Sequence, residues 1–100
     1  MSSNVNSILI IGLGMIGSSI ALAAKSKGIT VYGFDIDNAV VNDAIKKDII
    51  DRDAGTIEEI SSKEFAKNID LIILAVPPKQ TLDVLNKLDA LWNTSITITD

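Results

Sequence analysis

The chain has 100 residues, of which 47% are hydrophobic and 22% are charged, as is ordinary for one globular domain. Its net charge of −4 and its pI near 4.6 disfavour a nucleic-acid-binding surface and a basic patch for membranes. The sequence has no cysteine, which excludes disulfides and thiolate chemistry and suits a reducing cytoplasm, where we expect the protein to act.

The first 24 residues carry no charge, so a signal peptide or a membrane anchor has to be considered. A signal peptide begins with a positive region, and residues 1–7 contain no Lys or Arg. A membrane-spanning helix needs about 20 predominantly apolar residues, whereas three glycines and two serines interrupt the apolar run within residues 12–19. We therefore expect a soluble domain without a membrane segment.

The first clear element is a strand that leads into a glycine-rich turn and then a helix. Residues 8–11 are all aliphatic, which is typical of a strand buried on both faces of a parallel sheet. Gly12, Gly14 and Gly17 follow with the spacing G-x-G-x-x-G. Apolar residues then recur at helical intervals, which predicts a helix with one buried stripe. The predicted stripe is Ile16, Ile20 and Ala23/Ala24.

Each of these glycines has a physical reason in a dinucleotide site. Gly12 permits a sharp turn, Gly14 lets a pyrophosphate approach the backbone, and Gly17 lets the helix pack closely on the sheet. The helix N-terminus offers N–H groups and a positive dipole end to the phosphates. Glycine is common and the spacing alone is weak evidence. The strand before it and the helix after it favour a dinucleotide site over an ordinary glycine turn.

The chain then alternates between helices and strands. Gly28 is predicted to end the first helix in the left-handed C′ position. Thr30–Asp35 reads as a second strand ending on an acid, and Asp37 is predicted to cap a second helix that runs to about Lys47. The predicted buried stripe of this helix is Val40, Val41, Ala44 and Ile45.

Residues 48–60 have the least regular pattern. We interpret Asp51–Gly55 as a polar loop and Thr56–Ile60 as a short third strand. Ser61 and Glu64 have the spacing of a capping box for a short helix.

The remaining sequence has a clear pattern. Asp70–Val76 is nearly all apolar and predicts a second central strand, which Pro77-Pro78 ends. Ser95–Thr99 alternates as a last strand. Between them a helix is predicted with a buried stripe of Leu82, Leu85, Leu88 and Leu91/Trp92.

This order of elements predicts a Rossmann-type, doubly wound parallel sheet with three layers, α/β/α. Residues 1–100 then form one dinucleotide-binding domain. With strand order 3-2-1-4-5, the binding cleft opens between the first and fourth strands at their carboxyl ends. The glycine turn, Asp35 and Val76–Pro78 all follow such ends, so we expect them to converge on one crevice.

Asp35 is the residue that predicts the choice of cofactor. It follows Gly17 by 18 residues, where an acid accepts hydrogen bonds from the adenosine ribose. A carboxylate there repels the extra phosphate of NADP by about 4 kcal/mol per charge pair at ~4 Å and a dielectric constant near 20. Residues 36–39 contain no Lys or Arg to reverse this. We predict NAD, with a solvated strand-end acid as the alternative interpretation of Asp35.

Four other residues have less specific interpretations. Asp37 is interpreted as a helix cap rather than a second ribose contact. Arg52, the only arginine, is interpreted as a loop charge and Trp92 as a core residue. Thr81 either faces the core or reaches the cofactor cleft, and the residues alone leave both open.

Together these motifs resemble the prephenate/arogenate dehydrogenases of tyrosine biosynthesis. The resemblance rests on Gly12–Ala21, Val31–Asp37 and Asp70–Pro78 with Thr81, and it covers nearly the whole chain. Many Rossmann enzymes share the glycine turn, so Val76-Pro77-Pro78 and Thr81 carry more of the specificity.

The resemblance implies oxidative decarboxylation of prephenate to 4-hydroxyphenylpyruvate, with hydride passing to the nicotinamide of NAD. In this picture the glycine turn holds the pyrophosphate, Asp35 the adenosine ribose, and Val76, Pro77 and Thr81 the nicotinamide side. The predicted cofactor-binding residues are Gly12, Leu13, Gly14, Met15, Ile16, Gly17, Asp35, Ile36, Val76, Pro77 and Thr81. No catalytic residue and no metal ligand is predicted within the chain.

In the family, the general base is a histidine outside the matching region, and a helical domain supplies substrate contacts and the dimer interface. This sequence has no histidine. We therefore expect a cofactor domain without its catalytic helical domain, inactive on prephenate by itself, and a homodimer for the full-length protein. The alternatives are cofactor domains of hydroxyisobutyrate or pyrroline-carboxylate enzymes and NAD-sensing regulatory domains such as those of potassium channels. The Val-Pro-Pro segment favours the first interpretation over both.

Overall fold

A computed structural model describes residues 5–60, 65, 67–76 and 95–98. The strands within this part of the chain are β1 (Ser7–Ile11), β2 (Thr30–Phe34), β3 (Arg52–Asp53), β4 (Leu71–Leu74) and β5 (Ser95–Ile98). The helices there are α1 (Met15–Ser26), α2 (Asn38–Lys46) and α3 (Ile57–Ile60). The strands form one sheet in the order β3-β2-β1-β4-β5, and every pairing is parallel. The predicted doubly wound fold and its strand order are confirmed.

The central strand β1 is buried on both faces of the sheet. Ile8 and Ile10 belong to one hydrophobic cluster, which also contains the buried residues of α1 and α2. Leu9 and Ile11 belong to a second cluster, which includes Ile60 of α3. Because successive strand residues point to opposite faces, the uniformly aliphatic run serves two cores at once. This explains why the strand shows no polar alternation.

Helix α1 buries a stripe that agrees only in part with the predicted one: Ala24 is buried and Ile20 packs half-buried against the core, as expected. Its buried residues are Gly17, Ala21 and Ala24, whereas Ile16 is 45% exposed and Ala23 is exposed. A Cβ atom on Gly17 would collide with the carbonyl oxygen of Gly12, so the glycine side of the helix lies directly on the turn. The contact stripe therefore begins at Gly17 and turns Ile16 outward.

The end of α1 agrees with the prediction. Gly28 has φ +80°, and the N–H groups of Gly28 and Ile29 donate to the carbonyl oxygens of Lys25 and Ala24. This is the Schellman arrangement, in which the left-handed C′ position favours glycine.

Helix α2 begins as predicted. The Asp37 side chain accepts a hydrogen bond from the Ala39 N–H at 3.0 Å, which confirms it as the N-cap. Val41 and Ala44 are buried and Val40 is half-buried. Ile45 was expected in the same stripe but is 39% exposed. It lies about 100° further round the helix than Ala44, away from the sheet.

The third strand was placed wrongly by the sequence pattern. Arg52–Asp53, predicted within a loop, forms β3, while Ile57–Ile60 is helical. Thr56 and Glu59 form the reciprocal pair of a capping box: Glu59 N–H donates to Thr56 Oγ1, and Thr56 N–H donates to Glu59 Oε1. The T-x-x-E spacing was present in the sequence, so the helix was predictable there.

Several predictions fall on residues outside the described part of the chain. They concern the capping box at Ser61 and Glu64, Pro77-Pro78, Thr81, and the helix containing Trp92. Within the part that is described, no helix combines the length and the apolar character needed to cross a bilayer.

Candidate functional site

The glycine turn after β1 sits between the carboxyl ends of the neighbouring strands. Gly12 N–H donates to the carbonyl oxygen of Phe34 at 2.8 Å, and Gly12 has φ +101°. A Cβ atom at this position would collide with the Ala75 carbonyl oxygen and lie 2.9 Å from Val76 Cγ1. Any other residue would therefore meet both backbone strain and a steric clash. The sharp turn predicted for Gly12 is confirmed.

Gly14 lies in open space at the start of α1. It is exposed, and no described atom would come within 4 Å of a Cβ placed on it. Gly14 is the N-cap residue, and as a glycine it has no side chain to accept from the first N–H groups of the helix. The first turn of α1, all of it described, contains no acidic residue. The first N–H groups of a helix lack intrahelical partners and carry the positive end of its dipole. This corner is therefore suited to an anionic group such as a phosphate.

Asp35 reaches the same turn from the end of β2. Its Oδ2 atom accepts from Leu13 N–H at 2.9 Å, and its Oδ1 atom accepts from Asp37 N–H at 3.0 Å. A carboxylate can accept about four hydrogen bonds, so these two leave acceptor capacity for a ligand. The carboxylate lies directly beside the glycine turn, as the expected crevice requires.

Apolar side chains flank this corner. Met15, which follows Gly14, is 88% exposed, and Ile36, which follows Asp35, is 86% exposed, so both side chains lie on the surface. Val76 is half-buried and lies against Gly12. Exposed aliphatic groups beside polar acceptors suit a ligand with both charged and apolar parts.

The predicted site residues do not all contribute in the same way. Leu13 is only 4% exposed and belongs to the core cluster, where its Cδ1 atom packs over Gly33. Only its main chain can therefore contact a ligand. Pro77 and Thr81, predicted on the nicotinamide side, lie outside the described residues.

A pocket of about 650 Å³ lies next to Asp35, between α2 and the segment that joins β3 to α3. We call it the acidic pocket because Asp35, Asp53, Glu58 and Glu59 all line it. Among the described residues, no three acidic side chains are grouped so that they could hold a metal ion. The sequence did not predict this pocket because the third strand was placed four residues too late. Asp53 could have located the pocket in the sequence, because it lies at the carboxyl end of the observed strand β3.

The residues present fit an adenine dinucleotide. An open glycine and an uncapped helix N-terminus meet a carboxylate with free acceptor capacity, and apolar surface flanks both. A diphosphate needs the open glycine and the uncapped helix N-terminus, and ribose hydroxyls need the carboxylate. Together with the parallel sheet, these features define a Rossmann-type dinucleotide-binding domain.

The family is shown by comparison with known proteins. The model of the NAD binding domain of 6-phosphogluconate dehydrogenase matches residues 7–98, and the chain belongs to this family of NAD-binding domains.

Individual relatives are similar over most of the chain. A prephenate dehydrogenase of Lactococcus lactis subsp. cremoris (strain MG1363) is 42% identical over 83 residues, which is 81% of this chain and 22% of the relative. One of Bacillus subtilis (strain 168) is 38% identical over 90 residues, 88% of this chain and 23% of the relative. The chain thus spans under a quarter of the length of these relatives.

A solved structure shows the same fold. The crystal structure of prephenate dehydrogenase from A. aeolicus, in complex with hydroxyphenyl propionate and NAD+, has a TM-score of 0.84. Its sequence identity to this chain is 24%, and the match covers 98% of this chain and 34% of that one.

Proposed function

We propose that this chain is the NAD-binding domain of a prephenate dehydrogenase, which converts prephenate to 4-hydroxyphenylpyruvate by oxidative decarboxylation. Two relatives with this activity in their names match most of the chain. In this proposal the reaction belongs to a longer protein, because the chain spans less than a quarter of either relative.

The cofactor is held by main-chain groups at the glycine turn. The N–H groups of the first turn of α1, including those of Met15 and Ile16, would donate hydrogen bonds to the diphosphate, and Gly14 would let it approach the main chain. Gly12 and Gly17 contribute by shape, because they keep the turn and the helix close together. Bound NAD supplies the hydride acceptor of the reaction.

The observation that carries the proposal is the hydrogen bond between Leu13 N–H and Asp35 Oδ2. It fixes the carboxylate of β2 beside the glycine turn, where the sugar next to the diphosphate lies. The remaining acceptor capacity of Asp35 binds the ribose hydroxyls. We propose that Ile36 adds apolar surface beside the adenosine. Val76, Pro77 and Thr81, of which the last two lie outside the described residues, are proposed for the nicotinamide side.

Catalysis requires groups beyond those of the proposed NAD site. Decarboxylation with hydride transfer needs a base for the substrate hydroxyl and cations for two carboxylates. The chain has no histidine, and its formal charge is −4. We propose that a second, helical domain supplies these groups and the contacts of a cytoplasmic homodimer.

Calorimetric titration with NAD tests the proposal. The purified chain is expected to bind NAD, and Asp35→Asn is expected to weaken binding about 10- to 100-fold, the usual worth of a hydrogen bond to a charged group. Asp43→Asn is the matched control, because it removes the same charge from the exposed face of α2. No binding by the wild-type chain, or equal losses in the two variants, would contradict the proposal. Addition of prephenate is expected to produce no NADH with this chain alone.

A further inference from the structure

Two main-chain donors of the turn between β2 and α2 are already occupied by carboxylates of the chain. Asp35 Oδ1 accepts from the Asp37 N–H at 3.0 Å, and Asp37 Oδ1 accepts from the Ala39 N–H at 3.0 Å. Helix N-termini bind phosphates through such donors and through their dipoles. At the N-terminus of α2, the Asp37 carboxylate occupies the place where a phosphate would bind.

The other side of Asp35 is also negative. The acidic pocket lies there, and the residues that line it within the described structure include no Lys or Arg. Asp53 and Glu59 already accept main-chain hydrogen bonds, from Gly55 N–H and Thr56 N–H. Their charges therefore stay near the pocket. Because Asp35 lines this pocket and bonds the Asp37 N–H, a phosphate on a ribose oxygen held by Asp35 would lie near both the α2 N-terminus and the pocket.

We propose that Asp37 is a second determinant of cofactor choice, which excludes the 2′-phosphate of NADP independently of Asp35. The inference rests on the proposed NAD site. The cap places a full negative charge on the helix end that would otherwise be the natural phosphate-binding position. Neutralising Asp35 therefore removes one of two barriers and leaves NADP binding weak.

The nature of the cap makes this testable without loss of the helix. Serine is as good an N-cap as aspartate, so Asp37→Ser keeps the hydrogen bond to Ala39 N–H and removes only the charge. Asp43→Ser makes the same substitution six residues further along α2, about 9 Å along its axis. Asp43 pairs with Lys47 on the exposed surface and does not line the acidic pocket.

The experiment is calorimetric titration of NAD and of NADP into five forms of the purified chain. These are the wild type, Asp35→Asn, Asp37→Ser, Asp35→Asn with Asp37→Ser, and Asp35→Asn with Asp43→Ser. In the Asp35→Asn background, Asp37→Ser is expected to tighten NADP binding about tenfold, whereas Asp43→Ser changes it less than about twofold. Asp37→Ser alone is expected to leave the NAD affinity within about twofold of wild type.

Two results would overturn the inference while the NAD site stands. One is NADP binding by Asp35→Asn that is as tight as that of the Asp35/Asp37 double variant. The other is an equal gain from Asp43→Ser, which would indicate net charge rather than position. If the wild-type chain binds no NAD, the proposed function fails and this inference fails with it.

Discussion

The two ends of the parallel strands use their polar groups in opposite ways. We call the end where the strands begin the amino edge and the end where they finish the carboxyl edge. At the amino edge, side chains bind the main chain of neighbouring elements. Asp70 Oδ2 accepts from the N–H groups of Asn6 and Ser7 at 2.8 and 3.0 Å. The Ser7 hydroxyl donates to the carbonyl oxygen of Asn68. These contacts fasten β4 to β1 where both strands begin.

A second group of contacts closes the amino edge beside β2. Lys25 Nζ lies 2.5 Å from Asp48 Oδ1 and 3.4 Å from Asp51 Oδ1. Asp51 Oδ2 also accepts from Val31 N–H at 2.8 Å. The end of α1, the start of β2 and the segment before β3 are thereby joined.

The carboxyl edge is built to stay open. Gly12 and Gly17 are tightly packed there, whereas a Cβ on Gly14 would meet no described atom within 4 Å and α1 begins without a side-chain cap. Asp35 reaches across to the turn from the end of β2, and it keeps acceptor capacity. Stability and ligand binding are thus separated along the strands, so substitutions at the amino edge should change stability and those at the open carboxyl edge should change NAD binding.

The largest effect is expected where the carboxyl edge is packed. Gly17→Ala forces a Cβ into the Gly12 carbonyl and should lower the free energy of unfolding by about 3 kcal/mol or more. Gly28→Ala is the control, since Gly28 has a positive φ but open space around it; it should cost about 1–2 kcal/mol. Urea unfolding measures both, and equal losses would show that packing at Gly17 is not special.

Gly14→Ala should separate binding from stability. No described atom meets the added Cβ, so the free energy of unfolding should change by less than about 1 kcal/mol. The same methyl group would hold a diphosphate away from the helix N-terminus, and NAD affinity should fall at least about tenfold. Urea unfolding measures the free energy of unfolding, and calorimetry measures the NAD affinity. Unchanged NAD affinity would show that Gly14 is not part of the NAD site.

Asp70→Ala is the reciprocal change at the amino edge. It removes the acceptor of two exposed main-chain N–H groups and should lower the free energy of unfolding by about 1 kcal/mol. NAD affinity should stay within about twofold of wild type. A clear loss of NAD binding in a folded variant would show that the two edges are coupled.

The smallest effect concerns pH. The hydrogen bond to Asp48 raises the pKa of Lys25 above its ordinary value near 10.5. A raised pKa adds stability that is complete below the ordinary value and is lost as the pH rises through the raised one. The difference in free energy of unfolding between wild type and Lys25→Met should therefore shrink at strongly alkaline pH. A difference that is constant from neutral to alkaline pH would contradict this.

The sequence was most informative where a pattern has one physical cause. The aliphatic run before Gly12 indicated a strand buried on both faces, and the G-x-G-x-x-G spacing with Asp35 located the open edge. The strand order followed from the alternation of elements and their short connections. The caps at Asp37 and Gly28 depend on local geometry, and both were predicted.

Features that depend on tertiary contacts were missed. Strand β3 has two exposed residues, Arg52 and Asp53, so it has no hydrophobic alternation to reveal it. The acidic pocket depends on the position of that strand and was missed with it. Ile16 was predicted to be buried because it fits the helical period. The close contact of Gly17 with the turn decides the rotation of α1, and periodicity does not contain that information.

Amide chemical shifts of the 15N-labelled chain during NAD titration locate the cofactor on the domain. Saturable shifts are expected at the amides of Leu13, Gly14 and Met15, while the amides of Asn6 and Ser7 at the opposite edge should not move. Shifts centred on the amino edge, or none that saturate, would contradict the proposed NAD site.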